Sequence, residues 1–270
     1  MMQTRCETVA STDGTPIAVW ITGEGPSLLA IHGTAADHTA WDRVIPLLAP
    51  TMTVAVIDRR GRGASGDAER YEIEREVDDA VAVAAALPGP VHVYGHSFGG
   101  YVAMHAAPRI PNLAALTLYE GGIMPAGMEL APSTFLDDLD ALVAAGQREE
   151  ALEAFMRQNV GLDPAGLDAL KAQPSWRGRV DAVHTISREL RALGVHGADP
   201  VPTKDVTAPV QLLVGGTTDS MRRAWFESLA GLFQDVRVTV LPGQGHIAHV
   251  AAPELLAGAL LEFVGQRAAG

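Results

Sequence analysis

The 270-residue sequence lacks the features of an exported, disulfide-bonded or membrane-bound protein. It contains one cysteine, Cys6, which excludes a disulfide within the chain and is typical of a protein in a reducing cytoplasm. The N-terminal residues MMQTRCETVASTDG have no apolar signal core, and no segment has the roughly 18 to 20 consecutive apolar residues of a membrane span. We therefore expect a soluble, cytoplasmic protein.

The chain also lacks an excess of positive charge. It has 20 Lys and Arg against 32 Asp and Glu, for a formal net charge of -12. A field of this sign repels the phosphates of nucleic acids and of anionic lipids. We therefore expect neither nucleic acid nor membrane as a partner, and a small molecule as the ligand. Composition leaves the oligomeric state open.

Short apolar runs alternate with longer helical patterns, which predicts an α/β fold. The continuous runs are typical of strands buried on both faces. They are SLLAIHG (27–33), TVAVIDRRG (53–61), VHVYGHS (91–97), LAALTLYEGG (113–122), PVQLLVGG (209–216) and VRVTVLPGQGH (236–246). Two alternating runs around Asp13 and Gly14 add an antiparallel hairpin at the sheet edge. The prediction is a mostly parallel sheet of about eight strands with helices on both faces.

The alternation stops between residues 123 and 205, where only helical patterns occur. Four candidate helices follow one another: STFLDDLDALVAAG, QREEALEAFMRQNVG, DPAGLDALKA and PSWRGRVDAVHTISRELRALG. An insertion between two sheet strands is expected to lie over their carboxyl ends, where α/β sheets bind ligands. We therefore predict a core of residues 1–122 and 206–270 and a helical cap of residues 123–205.

The segment GHSFG, residues 95–99, fits the pattern G-x-S-x-G at a junction of strand and helix. In that setting the pattern is typical of a nucleophile elbow, a strained turn that holds a serine hydroxyl above the sheet. Gly95 and Gly99 are expected to be small because side chains there would clash. Ser97 is therefore the candidate nucleophile. The alternative is that Ser97 only caps the following helix.

A serine hydroxyl needs a base within hydrogen-bond reach. The last predicted strand ends in the glycine-rich loop GQGH, which offers His246, and His249 is the alternative. Neither histidine has the acidic or thiolate neighbours of a zinc site, so we expect no metal and no organic cofactor.

An oxyanion hole requires backbone donors beside the nucleophile. One is expected to be the N–H of Phe98, and the second the N–H of Thr34 or of Gly33 in the loop after the first buried strand. His32 in the same loop is interpreted as a structural hydrogen-bonding residue.

Four motifs, in this order and spacing, resemble the α/β-hydrolase superfamily over essentially the whole chain. They are IHG (31–33), DRRGRGASG (58–66), GHSFGG (95–100) and GQGH (243–246). The resemblance implies a Ser-acid-His hydrolase with a helical cap and without a cofactor. It also implies that the Asp58–Gly66 loop is a structural turn, in preference to a phosphate-binding loop.

The acid departs from the commonest family pattern, in which it follows the seventh strand three residues after a glycine. Counting from Gly215 gives Thr218, and Asp219 fits only if Gly216 ends the strand. Glu120 instead ends the sixth strand, which is expected to neighbour the Ser97 strand. This arrangement is similar to that of the zearalenone lactone hydrolases and of many LYEPP-type hydrolases. Glu120 is the favoured acid, and Asp219 is the alternative.

These residues together predict a serine hydrolase that cleaves a carboxylic ester or lactone of a small, mostly apolar substrate through an acyl-enzyme. Candidate pocket residues from the predicted cap are Met128, Phe135, Phe155, Met156 and Trp176. The alternative is a catalytically silent member of the same fold that binds a small molecule or serves a non-hydrolytic pathway.

Overall fold

In a computed structural model, which describes residues 3–125, 127 and 130–268, the chain forms one sheet of eight strands. The strands are β1 (Arg5–Ala10), β2 (Pro16–Thr22), β3 (Ser27–Ile31), β4 (Thr53–Ile57), β5 (Val91–His96), β6 (Leu113–Tyr119), β7 (Val210–Gly215) and β8 (Val236–Leu241). Their order in the sheet is β1-β2-β4-β3-β5-β6-β7-β8. The pairs from β4 to β8 are parallel, and β2 is antiparallel to both β1 and β4. The predicted α/β fold class is confirmed.

Helices cover both faces of this sheet, which explains the continuous apolar strands. The helices are α1 (Ile45–Leu48), α2 (Ile73–Ala86), α3 (Phe98–Ala106), α4 (Ser133–Ala144), α5 (Arg148–Gln158), α6 (Pro164–Lys171), α7 (Trp176–Ala182), α8 (Ile186–His196), α9 (Ser220–Ser228), α10 (Ala248–Ala251) and α11 (Pro253–Ala268). Leu28 packs in a cluster with residues of α1 and α11, whereas its neighbour Leu29 packs with residues of α2 and α3. Successive strand residues therefore need apolar side chains on both faces.

The predicted hairpin lies at the sheet edge, as β1 and β2. Its turn has Gly14 at φ 83°, a left-handed conformation that favours glycine. The side chain of Asp13 accepts a hydrogen bond from the Thr15 N–H at 3.0 Å, which fixes the turn. Asp13 and Gly14 were therefore a reliable turn signal.

Helices α4 to α8 follow β6 and precede β7 in the chain. The sequence predicted four helices here, and the fourth of them is wrong as a single helix, because α7 and α8 are separated by a short 3₁₀ helix at Val183–Thr185. The Thr185 hydroxyl donates to the Ala182 carbonyl at 2.7 Å. Threonine in such a run competes with the backbone for hydrogen bonds and favours a break. The limits 123–205 of a separate cap stay a prediction.

The buried carboxylate of Asp58 lies at the centre of the loop after β4. Asp58 is fully buried and accepts hydrogen bonds from the N–H groups of His38 at 2.8 Å and Ala64 at 3.0 Å and from the Trp20 indole at 2.9 Å. A Cβ on Gly63, which has φ 52°, would overlap the Asp58 carboxyl group. The loop therefore holds a negative charge at its centre, in agreement with a structural turn.

Within the described part of the chain, no helix is long and apolar enough to cross a membrane.

Candidate active site

Ser97 occupies a sharp turn between β5 and α3. Its backbone has φ 54° and ψ -123°, which is a strained conformation for a residue with a side chain. Although Ser97 is the N-cap of α3, its side chain makes no capping hydrogen bond, so its hydroxyl does not serve the helix. A Cβ on Gly95 would approach the Ala103 Cβ to 2.7 Å, which explains the small residue there. The geometry is that of a nucleophile elbow.

His246 follows β8 and contacts a carboxylate from a different strand. Its Nδ1 lies 2.8 Å from Glu120 Oε2, and the Glu120 side chain is 8% exposed. Because an ionised carboxylate only accepts hydrogen bonds, Nδ1 carries the proton, and Nε2 of the neutral ring is free to accept one. His246 and Ser97 line the same cavity.

Glu120 is held in place by two further donors. Its Oε1 accepts hydrogen bonds from the Gly215 N–H at 2.7 Å and from the Thr218 hydroxyl. Burial raises the pKa of Glu120, but the bonds and charge of His246, with those two donors, outweigh burial and lower the pKa to about 2 from 4.5. Glu120 is therefore ionised at neutral pH. Its φ of 45° is another strained value.

The two alternative residues from the sequence have other contacts. Asp219 caps α9 by accepting the Arg222 N–H at 2.9 Å, and its side chain is 54% exposed. The Nε2 of His249 lies 3.4 Å from Nη2 of Arg179, and burial holds the pKa of His249 well below its ordinary value. The structure thus brings together Glu120 and His246, and it leaves Asp219 in a turn.

The predicted oxyanion donors belong to segments that lie next to Ser97. A Cβ on Gly33 would come within 3.0 Å of the Ser97 Cβ, so the loop after β3 reaches the nucleophile. Thr34 and Phe98 both line the cavity, and Phe98 is the first residue of α3. In residues 3–125, 127 and 130–268, neither the Thr34 nor the Phe98 N–H has a hydrogen-bond acceptor.

Arg59, which the sequence assigned only to a structural turn, supports both of these segments. Its guanidinium lies 4.2 Å from the centre of the Phe98 ring and donates to the Gly33 carbonyl at 3.2 Å. It is buried and paired with Glu76 at 2.7 Å and with Glu189 of α8 at 2.6 Å. His32 also donates from Nδ1 to the Gly33 carbonyl, at 2.9 Å, as its structural interpretation predicted.

Two residues that sequence reasoning missed hold the His246 loop. Nε2 of His96 donates to the His246 carbonyl at 2.8 Å. The Tyr119 hydroxyl donates to the Gly245 carbonyl and accepts the Ala248 N–H at 3.2 Å. The signal was present, because polar side chains end the buried strands β5 and β6. The sequence pattern does not show that both side chains bond to the same loop, because that depends on the tertiary structure.

A cavity of about 130 Å³ joins the candidate residues to the helices between β6 and β7. It is lined by Ser97, Glu120 and His246, and by Leu170, Arg179, Leu190 and Leu193 from those helices. Most of the other lining side chains are apolar or aromatic, among them Trp41, Leu130 and Trp225. Within the described ranges, no three His, Cys, Asp or Glu side chains are grouped so as to hold a metal ion.

The pocket residues chosen from the sequence divide into three groups. Phe155 and Met156 of α5 line the cavity. Phe135 and Trp176 lie outside its wall: Phe135 packs on the core cluster, and the Trp176 indole donates to Glu149 at 2.9 Å. Helical spacing does not determine which partner an apolar side chain packs against, and here those partners are other helices. Met128 lies outside the described residues.

Known proteins share this fold, and some of them are similar to this chain over most of its length. The model of the alpha/beta hydrolase family matches residues 28–259. An alpha/beta hydrolase from Sphaerobacter thermophilus is 31% identical, with a TM-score of 0.79 and coverage of 95% of this chain and 99% of that one. The 2-(acetamidomethylene)succinate hydrolase of Mesorhizobium japonicum is 26% identical over 90% of this chain and 89% of its own length. A pimeloyl-[acyl-carrier protein] methyl ester esterase of Nitrosomonas europaea is 27% identical over 88% and 95%. The chain belongs to the alpha/beta hydrolase family.

Proposed function

We propose that this protein is a serine hydrolase that cleaves a small carboxylic ester or lactone through an acyl-enzyme. The observation that carries the proposal is the 2.8 Å bond between Glu120 and the Nδ1 of His246, in a cavity that Ser97 also lines. A buried carboxylate on Nδ1 keeps Nε2 available as a base and stabilises the ring when it becomes charged. Support also comes from the Nitrosomonas europaea relative, which is named as a methyl ester esterase.

The proposed reaction has two stages. His246 takes the proton of the Ser97 hydroxyl as its oxygen attacks the ester carbonyl, and the resulting oxyanion accepts hydrogen bonds from the Phe98 and Thr34 N–H groups. Each such donor contributes a factor of about 100 to 1,000 to the rate. His246 then gives its proton to the leaving alcohol. Water, activated by the same histidine, releases the acid from Ser97.

The cavity has room for a small acyl group. A cavity of about 150 Å³ in another protein holds benzene, so the 130 Å³ here accommodates a group of about six heavy atoms. The apolar side chains of Phe155 and Met156 favour a short hydrocarbon portion next to the reacting carbonyl.

A fluorophosphonate probe, which reacts with activated serines, tests the proposal directly. We expect stoichiometric labelling of the wild-type protein and of Ser220→Ala, which removes an exposed serine at the start of α9, and none of Ser97→Ala. Ser97→Ala should also lower kcat on methyl esters by at least about 1,000-fold. Folded wild-type protein that neither labels nor hydrolyses any ester would instead favour a catalytically silent binding protein.

A further inference from the structure

Arg179 of α7 is a buried positive charge in the wall of the cavity. Its residue surface is 5% exposed, and it lines the same space as Ser97 and His246. A guanidinium in such a position is unusual, because removing a charge from water is costly unless a partner compensates for it.

The contacts of Arg179 leave part of its hydrogen-bonding capacity unused. Nη1 donates to the Ala35 carbonyl at 3.2 Å, and Nη2 lies 3.4 Å from the Nε2 of His249. Nε is buried without a hydrogen-bond partner among the described residues. Burial lowers the pKa of Arg179 to about 10, and the charge of Asp37 acts in the opposite direction. The side chain is therefore charged at neutral pH.

Two other buried arginines have the partners that Arg179 lacks. Arg59 pairs with Glu76 at 2.7 Å, and Arg60 pairs with Asp79 at 2.7 Å. Within the described ranges, Arg179 forms no ion pair with a carboxylate; Asp37 instead accepts hydrogen bonds from Thr39. A carboxylate on a molecule bound in the cavity would supply the ion-pair partner that the described residues do not.

The charges around the cavity favour an anion. Arg222 lines it as well, and its side chain is 45% exposed beside Asp219 at 3.5 Å. The lining carboxylate, Glu120, is already bonded to His246, Thr218 and Gly215. The lining side chains thus include two arginines against one carboxylate, in a chain whose net charge is -12. An anionic substrate would gain its attraction from these side chains, since the overall field opposes its approach.

We propose that the natural substrate is an ester that carries a carboxylate, and that Arg179 binds this carboxylate inside the cavity. The proposal rests on the proposed hydrolase function and adds the substrate class. Arginine presents adjacent N–H groups in a planar fork that matches the two oxygens of a carboxylate. A carboxylate bound beside the guanidinium would neutralise its buried charge.

The first experiment compares two esters on the wild-type protein. Monomethyl succinate carries a carboxylate on its acyl part, and methyl pentanoate replaces that group with a hydrocarbon of similar length. We expect kcat/KM to be at least about 10-fold higher for monomethyl succinate, because its carboxylate would pair with the buried charge of Arg179. A preference for methyl pentanoate would overturn the proposal, whatever the fate of any variant.

The second experiment measures how that preference depends on Arg179. In Arg179→Met the ratio of the two kcat/KM values should fall by at least about 30-fold. The ratio in Arg179→Lys should lie between those of Arg179→Met and the wild type, because lysine keeps the positive charge but lacks the planar pair of N–H donors. Arg177→Met is the matched control: it lies on the same helix with an 84% exposed side chain and should leave both values unchanged. An unchanged ratio in Arg179→Met would contradict the proposal.

A binding measurement separates this proposal from the hydrolase function itself. Glutarate should bind to Ser97→Ala, measured by titration calorimetry, and adding Arg179→Met should weaken that binding at least about 10-fold. If glutarate binds through Arg179 but no ester is cleaved, the anion site stands and the hydrolase function fails. If both esters are cleaved equally and glutarate does not bind, the anion site fails and the hydrolase function stands.

Discussion

The Thr218 hydroxyl donates a hydrogen bond to Glu120 Oε1. Thr218 is the third residue after Gly215, the position at which most of the family carries its acid. In this chain the position therefore holds a donor, and the carboxylate comes from the end of the neighbouring strand β6. The Gly215 N–H at 2.7 Å completes the environment of the same oxygen. Thr218 therefore helps to hold the Glu120 carboxylate beside His246.

The two candidate acids should respond unequally to neutral replacements. Glu120→Gln should lower kcat strongly, because it removes the carboxylate bonded to His246; the corresponding change in a serine protease costs about 10⁴-fold. Asp219→Asn should cost less than about tenfold, since asparagine caps a helix as well as aspartate does. Both values are measured on one methyl ester, with circular dichroism to establish that each variant is folded. An inactive Asp219→Asn beside an active Glu120→Gln would identify Asp219 as the acid.

The acid should be transferable to the commoner position. In a Glu120→Gln background, Thr218→Asp puts a carboxylate on the loop after β7. This loop contacts the loop of His246, because the Thr217 N–H donates to the Gln244 carbonyl at 2.9 Å. We expect kcat to recover by about tenfold or more relative to Glu120→Gln alone, as residues that share one network are not additive. Thr218→Asn in the same background is the control, and recovery with asparagine would show that charge is not the cause.

Low pH should reduce the contribution of Glu120 to the stability of the folded protein. Its pKa is about 2 in the folded protein, below the 4.5 of the unfolded chain, so its stabilisation is present above pH 4.5 and is lost as the pH falls towards 2. The difference in free energy of unfolding between wild type and Glu120→Gln should shrink by about 1 kcal/mol between pH 6.5 and 3.5. Urea unfolding at the two pH values measures it. A difference that is constant or grows in acid would contradict a lowered pKa.

Activity should depend on acyl chain length. Because the cavity holds about six heavy atoms, p-nitrophenyl acetate and butyrate should be cleaved with kcat/KM at least about 100-fold above that for the decanoate. Phe155→Ala, which removes a ring from the cavity wall, should raise the relative activity on longer chains. Phe135→Ala is the control, since this ring lies outside the wall and its loss should leave the ratio unchanged. Equal activity on all chain lengths would show that the acyl group binds elsewhere.

The fold was predictable because its signals are local. Leu28 and Leu29 face opposite layers, so continuous apolar runs identify strands buried on both sides, and Asp13-Gly14 identifies the edge turn. The break between α7 and α8 escaped prediction, because it depends on the Thr185 hydroxyl bonding back to Ala182, which helical periodicity does not reveal.

Part of the site was predictable because its residues follow buried strands. Ser97 and Glu120 directly follow β5 and β6, and His246 lies in the loop after β8. Arg59 and Arg179 escaped, because a buried arginine has no periodic signature and its role depends on which partners the fold supplies. The choice of Glu120 over Asp219 as the partner of His246 agrees with the geometry; their roles in the reaction stay predictions until the variants are measured.

The ion pair between Arg59 and Glu189 constrains how ligands are exchanged. Glu189 belongs to α8, and Arg59 also donates to the Gly33 carbonyl in the loop after β3. A movement of α8 away from this loop would separate the charges of Arg59 and Glu189, which are both buried. Arg59 would keep its ion pair with Glu76, but Glu189 would lose a buried partner, and breaking a buried ion pair is costly, so we expect such a movement of α8 to be infrequent. We therefore expect ligands to enter and leave past the exposed side chain of Arg222 while α8 stays in place.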